Sequence, residues 1–210
     1  MFDCFIFDFD GTLVYSEPAY LESFRHSIKL HTGIVVSDDQ FRQFWHMNFT
    51  PQDILKQYDE EMLDEMMASF EEYYYENHYH HVTPYIGIME LLEHLSSQNI
   101  IIGLVSLKPR RAGIKELEST GLSKYFRTTV WGDDVKNVKP HPEGLLRALN
   151  ELDAKAHSSI VIGDSVADIL MGQAAGTATV AALWGSPHTE KLLATSPNFM
   201  IDSPLDLISL

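Results

Sequence analysis

Short apolar runs alternate with helical patterns over most of this 210-residue chain. Strand-like apolar runs begin at Phe5 and recur at residues 100–105, 128–131, 158–162, 178–183 and 199–201. Helical patterns lie between them, at residues 85–97, 110–119, 142–151, 165–175 and 189–194. Strands that alternate with helices of this length are typical of βαβ units. The sequence therefore predicts an α/β fold, with a Rossmann-like parallel sheet and helices on both faces.

Residues 15–83 interrupt this alternation, because they contain helical patterns and no convincing strand. Ser16-Glu17-Pro18 is typical of a helix start, and residues 37–39 and 50–51 resemble it. We therefore expect a helical domain at residues 15–83, inserted into an α/β core formed by residues 1–14 and 84–210.

Composition excludes several classes of function. The formal net charge is −15, and phosphate backbones are bound by basic surfaces, so we expect no nucleic-acid partner. No apolar run approaches the roughly 20 residues that cross a bilayer, so we expect no membrane partner and a cytoplasmic location. The single cysteine, Cys4, has no partner for an intramolecular disulfide.

Two carboxylates follow the first predicted strand. Asp8 and Asp10 are two residues apart and therefore point to the same side of an extended chain. Such close like charges repel unless a cation or a shared proton relieves them. Gly11 then permits a turn that other residues resist. For this segment alone, an ordinary strand followed by an Asx turn remains the alternative.

Chemistry-bearing residues also follow later strands or precede helices. They are Ser106, Lys139, Asp164 and Asp168. In an open parallel sheet the carboxyl ends of the strands meet at one edge, where ligands bind. Carboxylates, a hydroxyl and an ammonium group brought together there could hold Mg²⁺ and a phosphoryl group.

These segments, in this order, resemble the four motifs of the haloacid dehalogenase superfamily, and within it the phosphoglycolate phosphatase-like branch with a small helical cap. The Asp-x-Asp-Gly-Thr motif matches residues 8–12, the second motif matches Ser106, and the third matches Lys139. Asp164 and Asp168 match the fourth, and the run at residues 132–143 is similar to this branch in particular.

The resemblance implies a role for each carboxylate. Asp8 would be the nucleophile that forms an aspartyl-phosphate, and Asp10 would carry the proton. Mg²⁺ would be bound by the Asp8 side chain, the Asp10 backbone carbonyl and Asp164. Asp168 would orient these groups rather than bind the metal directly.

The resemblance also implies groups that bind the phosphate. Ser106 would donate its hydroxyl, and Lys139 would neutralise charge on Asp8 and on the transferring group. The remaining expected substrate contacts are Gly11, Thr12 and Leu107, the last through its backbone amide. Ser106 could instead cap the helix at 110–119, and Lys136 competes with Lys139. Family members often carry Asn where Leu107 stands, which leaves the substrate open.

The helical insertion would serve as a lid over a small substrate, with Arg25, His46 and Asn48 as candidate contacts; a surface role remains an alternative for each. The substrate would be a small phosphorylated metabolite, with 2-phosphoglycolate as the best guess and pyrophosphate or a sugar phosphate as alternatives. A phosphomutase usually carries Glu-Asp in the fourth motif, so Gly163-Asp164 favours hydrolysis. A receiver-like signalling module would lack the insertion. We expect a monomer or a homodimer.

Overall fold

The computed structural model describes residues 2–46, 50–186 and 188–210. The chain divides into two compact units, one formed by Met1–Tyr15 with Thr83–Leu210 and the other by Ser16–Val82. None of the helices in these described ranges combines the length and the hydropathy that a bilayer crossing requires.

The first unit is built on a parallel sheet. Its strands, numbered along the chain together with a short separate pair, are β1 (Cys4–Phe7), β2 (Val14–Tyr15), β3 (Thr83–Pro84), β4 (Ile101–Val105), β5 (Thr128–Val130), β6 (Ser159–Gly163), β7 (Ala178–Ala182) and β8 (Phe199–Ile201). Six of them form one sheet in the order β5-β4-β1-β6-β7-β8, with every neighbouring pair parallel. The predicted α/β fold with a helical insertion is confirmed.

The helices of the described residues are divided between the two units. In chain order the helices are α1 (Glu17–Thr32), α2 (Asp38–His46), α3 (Pro51–Lys56), α4 (Leu63–Asn77), α5 (Ile88–Ser97), α6 (Arg110–Ser119), α7 (Glu143–Glu151), α8 (Val166–Ala175) and α9 (Thr189–Leu193). Side chains alternate along β1, so Cys4 and Ile6 share one face. They pack there with Leu145 of α7 and Met171 of α8. This buried layer joins α7 and α8 to one face of the sheet.

The second unit has an apolar core of its own. Helices α1 to α4 enclose buried side chains that include Phe24, Phe41, Met66 and Phe70. Thr50 caps α3 through a reciprocal capping box with Asp53, as expected where a Thr precedes Pro at a helix start. Burial of aromatic residues on this scale supports a unit that is compact by itself.

Two details differ from the sequence-based expectation. β2 pairs antiparallel with β3 at the point where the chain leaves and re-enters the first unit. Two-residue strands are too short to show a period, so the pattern does not reveal them. Helix α5 begins at Ile88 rather than near residue 85, because Gly87 has a φ of 89° and the Tyr85 amide donates to the Leu13 carbonyl at 3.0 Å.

Candidate active site

Three neighbouring strands place their carboxyl ends side by side. Asp8 follows β1, and its amide donates to the Ile162 carbonyl of β6 at 2.9 Å. Ser106 follows β4, and its amide donates to the Val130 carbonyl of β5 at 2.9 Å. Asp164 directly follows β6. The order β4-β1-β6 therefore brings three of the predicted site residues to one edge.

An acidic cluster lies at this edge. Asp8, Asp164 and Asp168 can each offer a carboxylate oxygen within 4.8 Å of the others. Burial, and then the charge of Asp168, raise the pKa of Asp8 to about 7, although Lys139 opposes the shift. Burial, with Asp8 and Asp168 nearby, also raises the pKa of Asp164 well above its usual range. Because a cation would relieve this repulsion, the cluster has the chemistry of a divalent-cation site.

The turn after β1 packs directly on Asp164. Gly11 has a φ of 76°, and a Cβ there would lie 2.3 Å from Asp164 Oδ2, so only glycine fits. The Thr12 hydroxyl donates to Asp164 Oδ1 at 2.7 Å, and the Thr12 carbonyl accepts from Trp184 Nε1 at 2.9 Å. Thr12 is fully buried and holds Asp164, so a substrate contact by its side chain remains only a prediction.

Lys139 joins two members of the cluster. Its Nζ donates to Asp8 Oδ1 at 2.7 Å and to Asp168 Oδ1 at 2.6 Å. Burial alone would lower the pKa of Lys139, but the carboxylates of Asp168 and Asp8 outweigh it and raise the pKa above its ordinary value. Lys139 is therefore charged at neutral pH. The competing Lys136 is exposed, and its backbone amide donates to Glu143 at 2.9 Å.

Asp168 has both carboxylate oxygens engaged by protein donors. Lys139 Nζ donates to Oδ1, while the Ser165 amide and hydroxyl donate to Oδ2 at 3.1 and 2.6 Å. This is the capping box of α8, which fixes the carboxylate at the first turn of the helix. A Cβ on Gly163 would lie 2.3 Å from Asp168 Cβ, so no side chain fits at position 163.

Ser106 and Leu107 form the turn after β4. The Ser106 hydroxyl accepts a hydrogen bond from the Lys108 amide at 3.1 Å, and the side chain of Leu107 is exposed. The Leu107 carbonyl lies so close to Gly132 that a Cβ there would be 2.3 Å away. The turn is therefore fixed by its own backbone contacts and by Gly132.

Sequence reasoning missed one charged group at this edge. Lys108 is buried, and its Nζ donates to Asp10 Oδ1 at 2.8 Å and lies 2.7 Å from Glu116 Oε2. Glu116 is completely buried on the face of α6 that also buries Ala112 and Leu117. A glutamate at a position with apolar helical spacing was the available signal, because such a carboxylate requires a buried partner.

The candidate contacts of the helical unit are only partly described. Arg25 Nε donates to the Val36 carbonyl at 2.9 Å and Nη1 to Glu22 at 2.7 Å, and the guanidinium also pairs with Asp38. These bonds hold α1 to the segment before α2 and account for Arg25 within its own unit. The side chain of His46 and all of Asn48 lie outside the described residues.

Comparison with known proteins decides the family. The model of the haloacid dehalogenase-like hydrolases matches residues 5–182, which include all the segments at the sheet edge. This chain belongs to the haloacid dehalogenase-like hydrolases. The family that the motifs indicated is confirmed.

Individual relatives cover almost the whole chain. Pyrophosphatase PpaX of Oceanobacillus iheyensis is 34% identical over 206 residues, which are 98% of this chain and 94% of that protein. The crystal structure of a "putative phosphoglycolate phosphatase" from Lactobacillus plantarum is 26% identical, with a TM-score of 0.78 over 100% of this chain and 99% of that one. A "putative beta-phosphoglucomutase" from Thermotoga maritima is 25% identical, with a TM-score of 0.85 over 99% and 98% of the two chains.

Proposed function

We propose that this protein is a Mg²⁺-dependent phosphohydrolase that forms an aspartyl-phosphate on Asp8. The observation that carries the proposal is the setting of Asp8 at the end of the central strand. It contacts the buried ammonium of Lys139 and shares an acidic cluster with Asp164 in a chain of this hydrolase family. A carboxylate in this position can attack a phosphate group while the Lys139 ammonium and the proposed Mg²⁺ offset the negative charge of that phosphate.

In the first step, a carboxylate oxygen of Asp8 attacks the phosphorus, and the bond between phosphorus and the leaving oxygen breaks. The Asp10 carboxyl gives its proton to that leaving oxygen. Lys139 offsets the negative charge of both Asp8 and the phosphoryl group, which supports attack by one anion on another.

In the second step, a water oxygen attacks the phosphorus of the aspartyl-phosphate. Asp10 accepts a proton from this water, the bond between phosphorus and the Asp8 oxygen breaks, and phosphate leaves with Asp8 again a carboxylate. Asp10 thereby recovers the proton that it gave up, and both residues return to their starting state.

Asp8 and Asp164, with the backbone carbonyl of Asp10, would hold the Mg²⁺. When bound, the ion supplies positive charge that offsets repulsion between the carboxylate and the substrate phosphate. The raised pKa values of Asp8 and Asp164 fit this assignment, because crowded buried carboxylates are those that a cation stabilises. Asp168 would orient Lys139 and bind no metal, since both its oxygens already accept protein hydrogen bonds.

We propose pyrophosphate as the first substrate to test, ahead of 2-phosphoglycolate, which the sequence alone had favoured. Relatives named pyrophosphatase PpaX reach 34% identity over nearly the whole chain, whereas the Lactobacillus plantarum protein named as a putative phosphoglycolate phosphatase is 26% identical. A phosphomutase is disfavoured because such relatives usually carry Glu before the Asp of the fourth motif. This chain has Gly163 there, where a Cβ would lie 2.3 Å from Asp168 Cβ.

We propose the helical unit as the lid of this enzyme, corresponding to the domain expected at residues 15–83. Its support is a separate apolar core, which allows Ser16–Val82 to move as one body. A lid would limit water at the aspartyl-phosphate and restrict the site to small substrates.

The test is phosphate release from pyrophosphate and from 2-phosphoglycolate, each with Mg²⁺ and with a chelator. We expect release that depends on Mg²⁺ and is faster from pyrophosphate. Asp8→Asn should lose at least ~10³-fold in rate and form no phosphoenzyme, because it removes the nucleophile. Full activity of Asp8→Asn would refute the mechanism, and faster release from 2-phosphoglycolate would reverse the order of the substrates.

A further inference from the structure

Lys108 has no part in the mechanism above, although it is as deeply buried as Lys139. Its side chain is 1% exposed and bridges Asp10, whose side chain is 32% exposed, to Glu116, whose side chain is 0% exposed. The bridge therefore runs from the interior of the first unit to the carboxylate that is proposed to carry the proton.

Aromatic side chains pack beside this bridge. Lys108 Nζ lies 5.6 Å from the centre of the Phe9 ring, and Phe9 meets Trp131 edge to face at a centroid distance of 5.7 Å. Trp131 packs on α6 so tightly that a Cβ on Gly113 would lie 2.1 Å from its ring. Charges attract strongly in such a medium, and an unpaired carboxylate there would be costly. Glu116 and Lys108 are therefore considered together as one charge pair.

The backbone of Lys108 is fixed as well. Its amide donates to Ser106 Oγ at 3.1 Å, and its carbonyl accepts from the Gly132 amide at 3.0 Å. Glu116 is held by α6, whose first residue, Arg110, donates its amide to Asp133 at 2.8 Å. The ammonium of Lys108 is thus located by its own backbone and by Glu116, and it fixes Asp10 Oδ1 in turn.

We propose that Lys108, held by Glu116, is a positioning residue that fixes the Asp10 carboxylate for proton transfer. The inference rests on the proposed function, because Asp10 is the proton carrier there. With Oδ1 held by Lys108, Oδ2 is the oxygen that carries the proton. A carboxylate fixed by a third group is a recurring arrangement for acids and bases, and a misplacement of about 1 Å can cost ~10²-fold in rate.

The test is the pre-steady-state hydrolysis of 4-nitrophenyl phosphate by the full chain with Mg²⁺. Nitrophenolate leaves without a proton, so formation of the aspartyl-phosphate does not need Asp10, whereas its hydrolysis does. The first step appears as a burst of nitrophenolate and the second as the steady turnover that follows. The two steps are therefore separated with one substrate.

The variants to test are Lys108→Met and Glu116→Gln. The control is Glu118→Gln, at an exposed position of α6, the helix that carries Glu116. Lys108→Met should keep the burst rate within about threefold and slow the later turnover ~100-fold, without raising KM. Glu116→Gln should slow that turnover ~10-fold, because a neutral amide holds the ammonium less firmly. Glu118→Gln should behave as the wild type.

Lys108→Met removes the ion pair between Lys108 and the buried Glu116, and it can unfold the protein. The double variant Lys108→Met/Glu116→Gln carries neither charge, and it should fold and show the same slow second step. Wild-type turnover in the double variant would overturn the inference. So would an equal loss of burst and turnover, or a raised KM at constant kcat, since either places the ammonium on the substrate phosphate.

Asp10→Asn, measured in parallel, separates this inference from the proposed function. Wild-type turnover by Asp10→Asn would overturn the proton-carrier role and the inference with it. A slow second step in Asp10→Asn, with fast turnover in the Lys108 variants, would overturn the inference alone.

Discussion

Lys108 and Lys139, both buried at this edge of the sheet, each bridge two carboxylates, but the net charges of their surroundings differ. Lys139 joins Asp8 to the fully buried Asp168, and Lys108 joins Asp10 to the fully buried Glu116. The Lys139 group also includes Asp164, so three carboxylates face one ammonium and two negative charges remain in excess. Among the residues that the structure describes, the Lys108 group pairs two carboxylates with one ammonium.

This difference gives the two groups different capacities. An excess of two negative charges in a buried cluster requires a divalent cation or bound protons, and the raised pKa values of Asp8 and Asp164 reflect that requirement. The Lys108 group has a smaller excess of negative charge. Its buried ammonium holds the partly exposed carboxylate of Asp10 in place. One lysine thus belongs to the charged centre, and the other supports the residue beside it.

The largest expected contrast is between Lys139→Met and Lys108→Met. Lys139→Met should lower the burst rate with 4-nitrophenyl phosphate ~10²–10³-fold, because it removes positive charge from the phosphoryl group and the nucleophile. Lys108→Met should leave this burst nearly unchanged. Lys136→Met, at the exposed neighbouring lysine, is the control and should match the wild type. Equal burst rates for Lys139→Met and wild type would remove the distinction between the two lysines.

Mg²⁺ should bind at the Lys139 group and not at the Lys108 group, and it should stabilise the folded protein from there. At a Mg²⁺ concentration 100-fold above Kd, the free energy of unfolding should rise by about 2.7 kcal/mol. For a chain of this size, this corresponds to a rise of about 5–10 °C in Tm by thermal denaturation. Asp164→Asn should lose most of this rise, while Glu116→Gln should keep it. If Glu116→Gln lost the rise and Asp164→Asn kept it, the cation would belong to the other group.

Gly163→Ala should disturb the Lys139 group by crowding alone. The added methyl would lie 2.3 Å from Asp168 Cβ, so Asp168 must move away from Lys139. Overpacking of this kind costs about 1–3 kcal/mol, measurable by urea denaturation. Gly144→Ala is a milder comparison, because its Cβ would lie 3.2 Å from Val105 Cγ1. Equal stability of Gly163→Ala and wild type would show that Asp168 is less tightly fixed than its hydrogen bonds indicate.

The smallest expected effect is a dependence of Mg²⁺ stabilisation on pH. The folded-state pKa of Asp8, about 7, lies above its unfolded value of 3.8, so without Mg²⁺ this group's contribution to stability is lost as pH rises toward 7. Mg²⁺ binds the ionised form, so the rise in Tm that it produces should be larger at pH 8 than at pH 5.5. In Asp8→Asn this difference should shrink, and a larger rise at pH 5.5 would contradict the assignment.

Local pattern was sufficient for the strands of the main sheet and for the family. Apolar runs located the strands of the main sheet, and the predicted helix at residues 110–119 coincides with α6. The spacing of Asp8, Asp10 and Gly11 marked the turn after β1, because turn chemistry and strand periodicity are local properties. Contacts that form only when the chain folds back on itself could not be predicted from local pattern. The pair β2–β3 and the contact of Gly163 with Asp168 depend on how the chain folds back on itself.

The order of apolar runs and motifs along the chain was enough to predict an α/β core with a helical insertion and membership of the haloacid dehalogenase-like hydrolases. The site carboxylates and Lys139 could also be predicted, because each lies at a strand end or a helix start that the pattern reveals. Which buried charges form pairs became visible in the folded chain. Asp10 and Glu116 are 106 positions apart in the sequence, yet both lie within 2.8 Å of Lys108 Nζ. The partner of a buried charge depends on chain packing, and no local period encodes it.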